Sequence, residues 1–296
     1  MNKCNITVGI PTYNRIEKLL ISLEKILQCD PQPNEIIIHI DKGDRTTEKI
    51  ITQKYPEIKL ILSSTRMGPG GGRNKIINAA TNNIIASFDD DSYPLDQDYF
   101  QRLKILFEKL PNTAVINGAV FHIGESIKPD KYIASINSNF IGCGCAYRRD
   151  IFLQTTGYIA LPLAYGMEEV DLALRLINLN WNIVNTPWLR VFHNTNLEHH
   201  NQPQITAATI ANQILLTYLR YPLKLWWVGF YQCSNRIIWL IKNHRLAGIL
   251  TGIISIPQLI LKHQGDRAPI STQALNNYLK YRRKFITIKL PSTANK

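Results

Sequence analysis

The residues with most chemistry to offer are three adjacent carboxylates, Asp89-Asp90-Asp91, followed by Ser92-Tyr93-Pro94. Just before them runs Asn83-Ile84-Ile85-Ala86-Ser87-Phe88, a short apolar stretch bounded by polar residues, which reads as a buried strand. Acids placed side by side at a strand end repel one another, and burial worsens the repulsion. A divalent cation reverses the balance, because Mg²⁺ or Mn²⁺ takes hard oxygen ligands and bridges to phosphate. Asp89 and Asp91 are two apart, so a kinked strand end can aim both at one ion or its ligand. The plainer alternative is an acidic loop whose Asp caps the next helix.

Three further clusters could act with that site. Thr65 to Asn74 contains Gly68, Gly70, Gly71 and Gly72 ahead of Arg73. Glycines let a backbone approach phosphate or sugar closely, a helix N-terminus favours anions, and Arg73 could neutralise a diphosphate or lie on the surface. No Gly-Lys-Ser/Thr follows, so this is not a P-loop. Glu168-Glu169-Val170-Asp171 heads a helical pattern; one carboxylate there could be a general base for an acceptor hydroxyl. Alternatively the acids complement the helix dipole, with Asp171 pairing Arg175 one turn on. His193 ends an extended run and is a metal ligand or a satisfied lone histidine.

The elements that must position these residues alternate. Cys4–Ile10 reads as a strand, Arg15–Leu27 as a helix and Glu35–Ile40 as a strand; a polar, partly helical segment runs to Lys54, and Ile58–Leu62 is again a strand. After the glycine-rich turn, Arg73–Ala80 reads as a helix leading into the strand before Asp89. Such alternation predicts a mostly parallel sheet flanked by helices, with ligands at the carboxyl ends of the strands. Pro11-Thr12-Tyr13, Asp41 and Asp89-Asp90-Asp91 all fall on that rim. Further on come a helix over Asp96–Leu110, a strand over Thr113–His122, a small apolar run over Phe140–Tyr147, a helix over Glu168–Leu179 and an extended Trp181–Phe192.

At 296 residues the chain can bury a large core, and its hydrophobic fraction of 45% is that of a globular protein. Its charge is unevenly spread. Residues 201–296 hold 13 Lys and Arg against the single acid Asp266, which accounts for the whole net charge of +12. That asymmetry points to a polyanionic surface as partner, lipid or nucleic acid. The same third is apolar and aromatic, with Tyr218, Trp226, Trp227, Tyr231 and Trp239 beside basic residues, and within its apolar stretches, Ile205–Tyr231 and Ile237–Leu261, the longest uncharged run is only 16 residues, Leu246–Leu261. Helices lying on a membrane interface suit this pattern better than a spanning one; a helical layer packed on the sheet is the alternative. Tyr278–Lys284 is read as the end of the organised part and the last residues as a frayed tail. Five cysteines, an odd number without scaffold spacing, suit a reducing compartment; Cys143-Gly144-Cys145 reads as tight strand packing rather than a metal site. The N-terminus enters directly into a strand-like run without an apolar leader segment.

Taken in order, Val8-Gly-Ile-Pro-Thr-Tyr-Asn14, Asp41, Gly68…Arg73-Asn74, Phe88-Asp-Asp-Asp91, Gly142…Arg149…Gly157 and Glu168-Glu-Val-Asp-Leu172 resemble family 2 glycosyltransferases of the GT-A fold, over roughly residues 5–195. The placement of His193 is similar to that in the rhamnosyl- and galactofuranosyltransferase-like branch, where a His binds metal. The resemblance implies a catalytic domain over residues 1–200, divided into a nucleotide-sugar half (about 1–94) and an acceptor half (about 95–200), with a basic helical extension over 201–296. It further implies an inverting, metal-dependent hexosyl or deoxyhexosyl transfer from a nucleoside-diphosphate sugar to an acceptor hydroxyl, on a glycan or lipid-linked acceptor of polysaccharide synthesis. Pro11, Thr12, Tyr13 and Asp41 would face the nucleotide, with Arg73, Asp89 and Asp90 completing the donor side. Asp91 and His193 would hold Mn²⁺ or Mg²⁺. Gly142, Gly144, Arg149 and Glu168 would line the acceptor side, and Glu169 would be the base, with Asp171 its runner-up. The family usually has Glu-Asp where this chain has Glu168-Glu169; a side chain one methylene longer can still serve. The expected location is cytoplasmic, peripheral on the inner face of the membrane.

Two other classes compete. A sugar-nucleotide pyrophosphorylase also uses a glycine-rich loop and a divalent ion, but carries the loop right after its first strand, whereas here it begins near Gly68. A non-catalytic nucleotide- or nucleic-acid-binding protein would explain the basic third and leave three acidic strand ends unexplained, so nucleic acid is not the expected partner.

Overall fold

A computed structural model describes residues 2–159, 161, 163, 165, 167–196 and 202–290. Strand β1 (Lys3–Thr12) leads through α1 (Ile16–Leu27) to β2 (Gln32–Ile40), then α2 (Arg45–Lys54), β3 (Lys59–Leu62), α3 (Gly68–Ala79) and β4 (Ile84–Ser87). These strands pair in parallel in the order β3-β2-β1-β4. Register aligns their carboxyl ends: Thr12 lies beside Ile40, and Gly9 beside Ser87. The apolar period of α1 explains its docking, because Leu19, Leu23 and Ile26 all turn into the core beneath the sheet.

The second half continues as β5 (Ser92–Pro94), α4 (Tyr99–Lys109), β6 (Thr113–His122), β7 (Ala134–Asn137), β8 (Cys145–Arg148), α5 (Arg149–Phe152), α6 (Glu168–Asn178) and β9 (Asn182–His193). Here the sheet becomes mixed. β8 runs antiparallel to both β4 and β6, while β6 and β9 are parallel. The extended run expected over Phe140–Tyr147 forms a ladder only from Cys145; Ile141–Gly144 is a non-repetitive bend with Gly144 at φ +96°, a conformation that favours glycine. The helix expected from Arg73 starts five residues earlier, at Gly68. Pro69 opens it, and the Asp41 carboxylate accepts from the Met67 and Gly68 N–H groups at 2.8 and 3.0 Å, so backbone that would be costly in a glycine-rich helix is capped.

The C-terminal third contains α7 (Pro203–Arg220), α8 (Trp226–Lys242), α9 (Ile249–Lys262), α10 (Thr272–Arg283) and a last strand, β10 (Ile286–Ile288). Apart from a small cluster of its own around Ile210, Cys233 and Leu240, it shares the core of the sheet. Leu215, Leu216 and Leu219 of α7 and Leu275 and Tyr278 of α10 share one buried cluster with Leu172 and Leu176 of α6. β10 returns to pair with β7 at the sheet edge, so the organised chain extends beyond Lys284. The boundary near residue 200 is a change of architecture over a shared core. The frayed tail expected for the last residues falls on 291–296, outside the described residues. Among the described residues no helix is long and apolar enough to cross a membrane, and the five cysteines are free.

Candidate active site

β4 ends at Ser87, and Phe88 anchors the chain as it leaves the strand: its N–H donates to Gly9 O (3.1 Å) and its buried ring packs on Tyr99 (5.8 Å). A tight turn then fixes Asp89, whose N–H donates to Ser92 Oγ at 2.7 Å while Ser92 N–H returns to Asp89 O at 3.0 Å. The three acids leave this turn in different directions. Asp90 is buried, accepts from Thr12 Oγ1 at 2.9 Å and pairs with Arg15 at 2.8 Å. Burial pushes its carboxyl up to about 6, partly offset by Arg15. The Asp91 side chain is only 1% exposed and meets Arg15, Lys18 (3.1 Å) and His193 Nε2 (3.1 Å). Burial alone would raise its pKa; the His193 hydrogen bond and the Arg15 charge outweigh it and hold the group well below the usual carboxylate range. Asp89 is the open one, 30% exposed, paired with Arg73 and with His193 Nε2 at 4.0 Å.

His193 closes the far side because β9 pairs with both β5 and β6, which sets Ser92 and His122 opposite it. Its Nδ1 lies 3.4 Å from Cys143 Sγ. Donor atoms of Asp89, Cys143 and His193 all fall within 4.8 Å of one another, so these three could hold a metal ion. A carboxylate and an imidazole suit Mn²⁺ or Mg²⁺ bound to phosphate, and both side chains are partly open. The thiol is less apt: burial, and then the Asp89 charge, push it well above its ordinary value. Its fit is as a hydrogen-bond partner that orients the His193 ring. Asp91, expected as a metal ligand, has its carboxylate engaged by two cationic side chains, and Asp89 is the aspartate that meets His193 with an open face.

Arg73 joins the two halves. It is buried, donates from Nε to Ser87 Oγ (3.0 Å) and pairs with Asp89. Burial works against its charge, but Asp89, Tyr158, Tyr147 and Glu168 together outweigh that and raise its pKa well above the usual value. Ser87 Oγ in turn donates to Gly142 O (2.9 Å), and Gly142 N–H donates to Glu169 Oε1 (3.2 Å). A Cβ at Gly142 would stand 2.9 Å from Glu169 Oε1 and 3.0 Å from the Arg73 guanidinium, so any larger residue here would displace one or both of these side chains. Glu168 is buried beside Gly70 of α3, and its Oε1 has no hydrogen-bond partner among the described residues. Burial, then the Glu169 charge, push its carboxyl up to about 8. Glu169 is also raised by burial, against the pull of Arg73 and the Gly142 N–H. Burial thus works against charge on both carboxyls, and of the two it is Glu169 that receives a hydrogen bond supporting its charged form, from Gly142 N–H.

Not every expected residue arrives. Asp171 is fully buried between Arg175 (2.6 Å) and Arg220 (2.5 Å), which removes it as a base: it locks α6 to α7. Arg149 donates to Ile77 O (2.8 Å) and Asn78 O (3.0 Å), capping the C-terminal end of α3 at the opposite end of β4 from Asp89. Asp41 is spent on the N-terminus of α3, and Pro11 is buried against Gly72. Of the rim residues Tyr13 is open, 37% exposed, with Arg66 stacked 5.1 Å above its ring. Gly144 N–H donates to Ser87 O (2.8 Å), behind the acceptor side. Sequence reasoning misses Arg15, Lys18, Ser87 and Cys143 as members of the site. Arg15 at the N-cap of α1 and Lys18 in its first turn, only partly balanced by Glu17, oppose the helix dipole, and that mismatch is a readable sign of a nearby anionic partner.

Comparison with known proteins agrees with this geometry. Residues 7–155 match the model of Glycosyl transferase family 2. An uncharacterized glycosyltransferase of Methanocaldococcus jannaschii is 32% identical over 146 residues, 45% of this chain and 49% of that protein. The amylovoran biosynthesis glycosyltransferase AmsB of Erwinia amylovora is 28% identical over 116 residues, 37% of this chain and 38% of its own. The chain thus spans about half or less of the length of these two relatives. The mannosyltransferase PcManGT of Pyrobaculum calidifontis, solved with GDP-Man and Mn²⁺, superposes with a TM-score of 0.56 at 12% identity, covering 94% of this chain and 83% of that one. The fold is the GT-A fold.

Proposed function

Because the chain belongs to glycosyl transferase family 2, we propose that it moves a sugar from a nucleoside-diphosphate sugar to an acceptor hydroxyl with inversion at the anomeric carbon. The observation that carries this reading is the linked pair of half-sites. Asp89 and His193 open on one side and Glu169 on the other, joined through Arg73, Ser87 and Gly142. Asp89 and His193 would hold a divalent cation, whose chemistry is to offset charge on the departing diphosphate. Support for the cation comes from its presence in PcManGT and from the donor set itself.

Glu169 takes the proton of the acceptor hydroxyl. The oxygen then forms the new bond to the anomeric carbon as the carbon–phosphate-oxygen bond breaks, and the electron pair leaves with the nucleoside diphosphate. Arg73 keeps a fixed positive charge behind Asp89, where negative charge accumulates. Glu168, protonated, keeps a second negative charge away from Glu169. Tyr13 and Arg66 offer a face for the nucleotide base. AmsB is named for amylovoran biosynthesis, which supports a biosynthetic glycan acceptor here. A pyrophosphorylase loses its main motif, since the glycine-rich segment is the first turn of α3, packed on Glu168 and Pro11.

The test is thermal stability with UDP, GDP, dTDP or CMP, each with Mn²⁺, Mg²⁺ or EDTA. Stabilisation by one nucleotide, dependent on metal and lost in Asp89→Ala, is the expected result. No shift with any nucleotide refutes a working donor site.

A further inference from the structure

The outer faces of α8 and α9 are apolar and bare. On α8, Trp227, Phe230, Tyr231, Ile238 and Ile241 recur at helical spacing and are all exposed. On α9 the same holds for Leu250, Ile253, Ile254 and Leu261. Their inner faces are committed to α7: Cys233 and Leu240 cluster with Ile210, and a Cβ at Gly252 would stand 2.7 Å from Ala207 O. Neither helix can rotate to hide its outer stripe. Both helices pack on α7, and Ile249 of α9 joins the Ile210, Cys233 and Leu240 cluster, so two exposed apolar stripes flank one support; together they exceed the scattered exposure of an ordinary soluble face and mark an interaction surface.

Charge says what covers it. Lys224, Lys242 and Lys262 are exposed around the stripes, and Arg236 and Arg245 stack on Trp239 at 4.6 and 5.7 Å. Between Asn201 and Gly265 the chain has no Asp or Glu. A second copy meeting this face about a twofold axis would set one unbalanced basic rim against another. An anionic lipid surface supplies the missing charge and also takes up the apolar stripes. Trp and Tyr beside Lys and Arg is the composition of the headgroup boundary. Since neither helix spans a bilayer, both would lie in its plane.

We propose that the outer face of α8 and α9 docks on an anionic phospholipid bilayer. The layer it belongs to braces the site: Asn212 of α7 donates to Leu163 O (2.8 Å) and Tyr165 O (3.1 Å), in the segment that leads into Glu168 and Glu169. Docking therefore fixes the acceptor side to the membrane surface, where a lipid-linked acceptor would be met. The docking itself stands whether or not the transfer reaction is as proposed.

Co-sedimentation of the full chain with phosphatidylcholine vesicles, with and without about 30 mol % phosphatidylglycerol, tests it, with about tenfold tighter binding expected on the anionic vesicles and loss as salt rises. Trp227→Ser/Leu250→Ser/Ile254→Ser and Lys224→Gln/Lys242→Gln/Lys262→Gln should each weaken binding by about tenfold or more. Both should keep the wild-type melting temperature and nucleotide stabilisation, because every changed side chain faces outward. Quenching of Trp fluorescence by brominated lipid should accompany wild-type binding. Failure to sediment with either vesicle overturns the proposal. So does a dimer, seen by light scattering, that the apolar triple variant dissociates, since the face would then belong to a second copy.

Discussion

Glu168→Gln separates the two carboxylates at the head of α6. Burial beside Glu169 pushes Glu168 from an ordinary 4.5 to about 8. Below pH 4.5 both the folded and the unfolded chain hold the proton. Between 4.5 and about 8 the unfolded chain has released a proton that the folded chain keeps, so stability falls as pH rises, by about 1.4 kcal/mol per pH unit. From about pH 5 to pH 8 the loss is on the order of 4 kcal/mol. Glutamine keeps the shape of the protonated acid and does not titrate, so Glu168's share of this slope is removed, leaving only what Glu169 contributes. Urea unfolding across that pH range should find the two proteins similar at the acid end and the variant ahead at the alkaline end by about 3–4 kcal/mol. Turnover of Glu168→Gln should stay within a few-fold, while Glu169→Gln loses about 10²–10⁴ of kcat. A stability difference independent of pH, or a loss of turnover in Glu168→Gln as deep as in Glu169→Gln, refutes the assignment.

Saturating nucleotide with metal, at about 100 times its Kd, should stabilise the wild type by about 2.7 kcal/mol, or roughly 4 °C for a chain of this length, and Asp89→Ala should erase that shift in differential scanning fluorimetry. Asp171→Ala leaves Arg175 and Arg220 buried without their acid and should cost about 3–5 kcal/mol in urea unfolding while KM of the remaining folded enzyme holds. The depressed pKa of Asp91 contributes stability above the ordinary carboxylate value that is lost as pH falls through the folded one; Asp91→Asn should therefore flatten the acid limb of the stability curve. Arg149→Ala should lower stability by about 1 kcal/mol and leave kcat/KM unchanged, since its contacts are at the far end of α3.

The parallel half of the fold is legible because strand and helix periods there are clean: Leu19, Leu23 and Ile26 announce α1, and the β-branched run over Ile36–Ile38 announces β2. β7 and β10 are not, as each is a few residues long and gains its ladder only from a distant partner. The early start of α3 is hidden for a related reason. Glycine and proline oppose a helix locally, and the Asp41 carboxylate that caps it comes from 26 residues earlier. The same kind of gap misplaces Asp171 and Arg149. Local spacing correctly pairs Asp171 with Arg175, but Arg220, which completes its burial, lies 49 residues away. Cys143 lacks zinc spacing and so carries no local sign of a site, whereas its neighbour His193 arrives through β9, 50 residues on.

Sequence could not divide the labour among Asp89, Asp90 and Asp91, because the division is made by what reaches each from elsewhere. α1 supplies Arg15 and Lys18, so two of the three negative charges are matched before any ligand binds. Without those cations the turn after β4 would carry three like charges against a buried Phe88, and Asp90 and Asp91 would have to give up burial or charge. With them, Asp90 and Asp91 fasten β4 to β1 and α1, and their rigidity holds the Asp89 turn in place. Asp89 itself faces Arg73 from behind and His193 from the side, and keeps its exposed face toward the open end of the strands. Of the three, Asp89 is the one that keeps a partly exposed face, while Asp90 and Asp91 are buried against Thr12, Arg15 and Lys18.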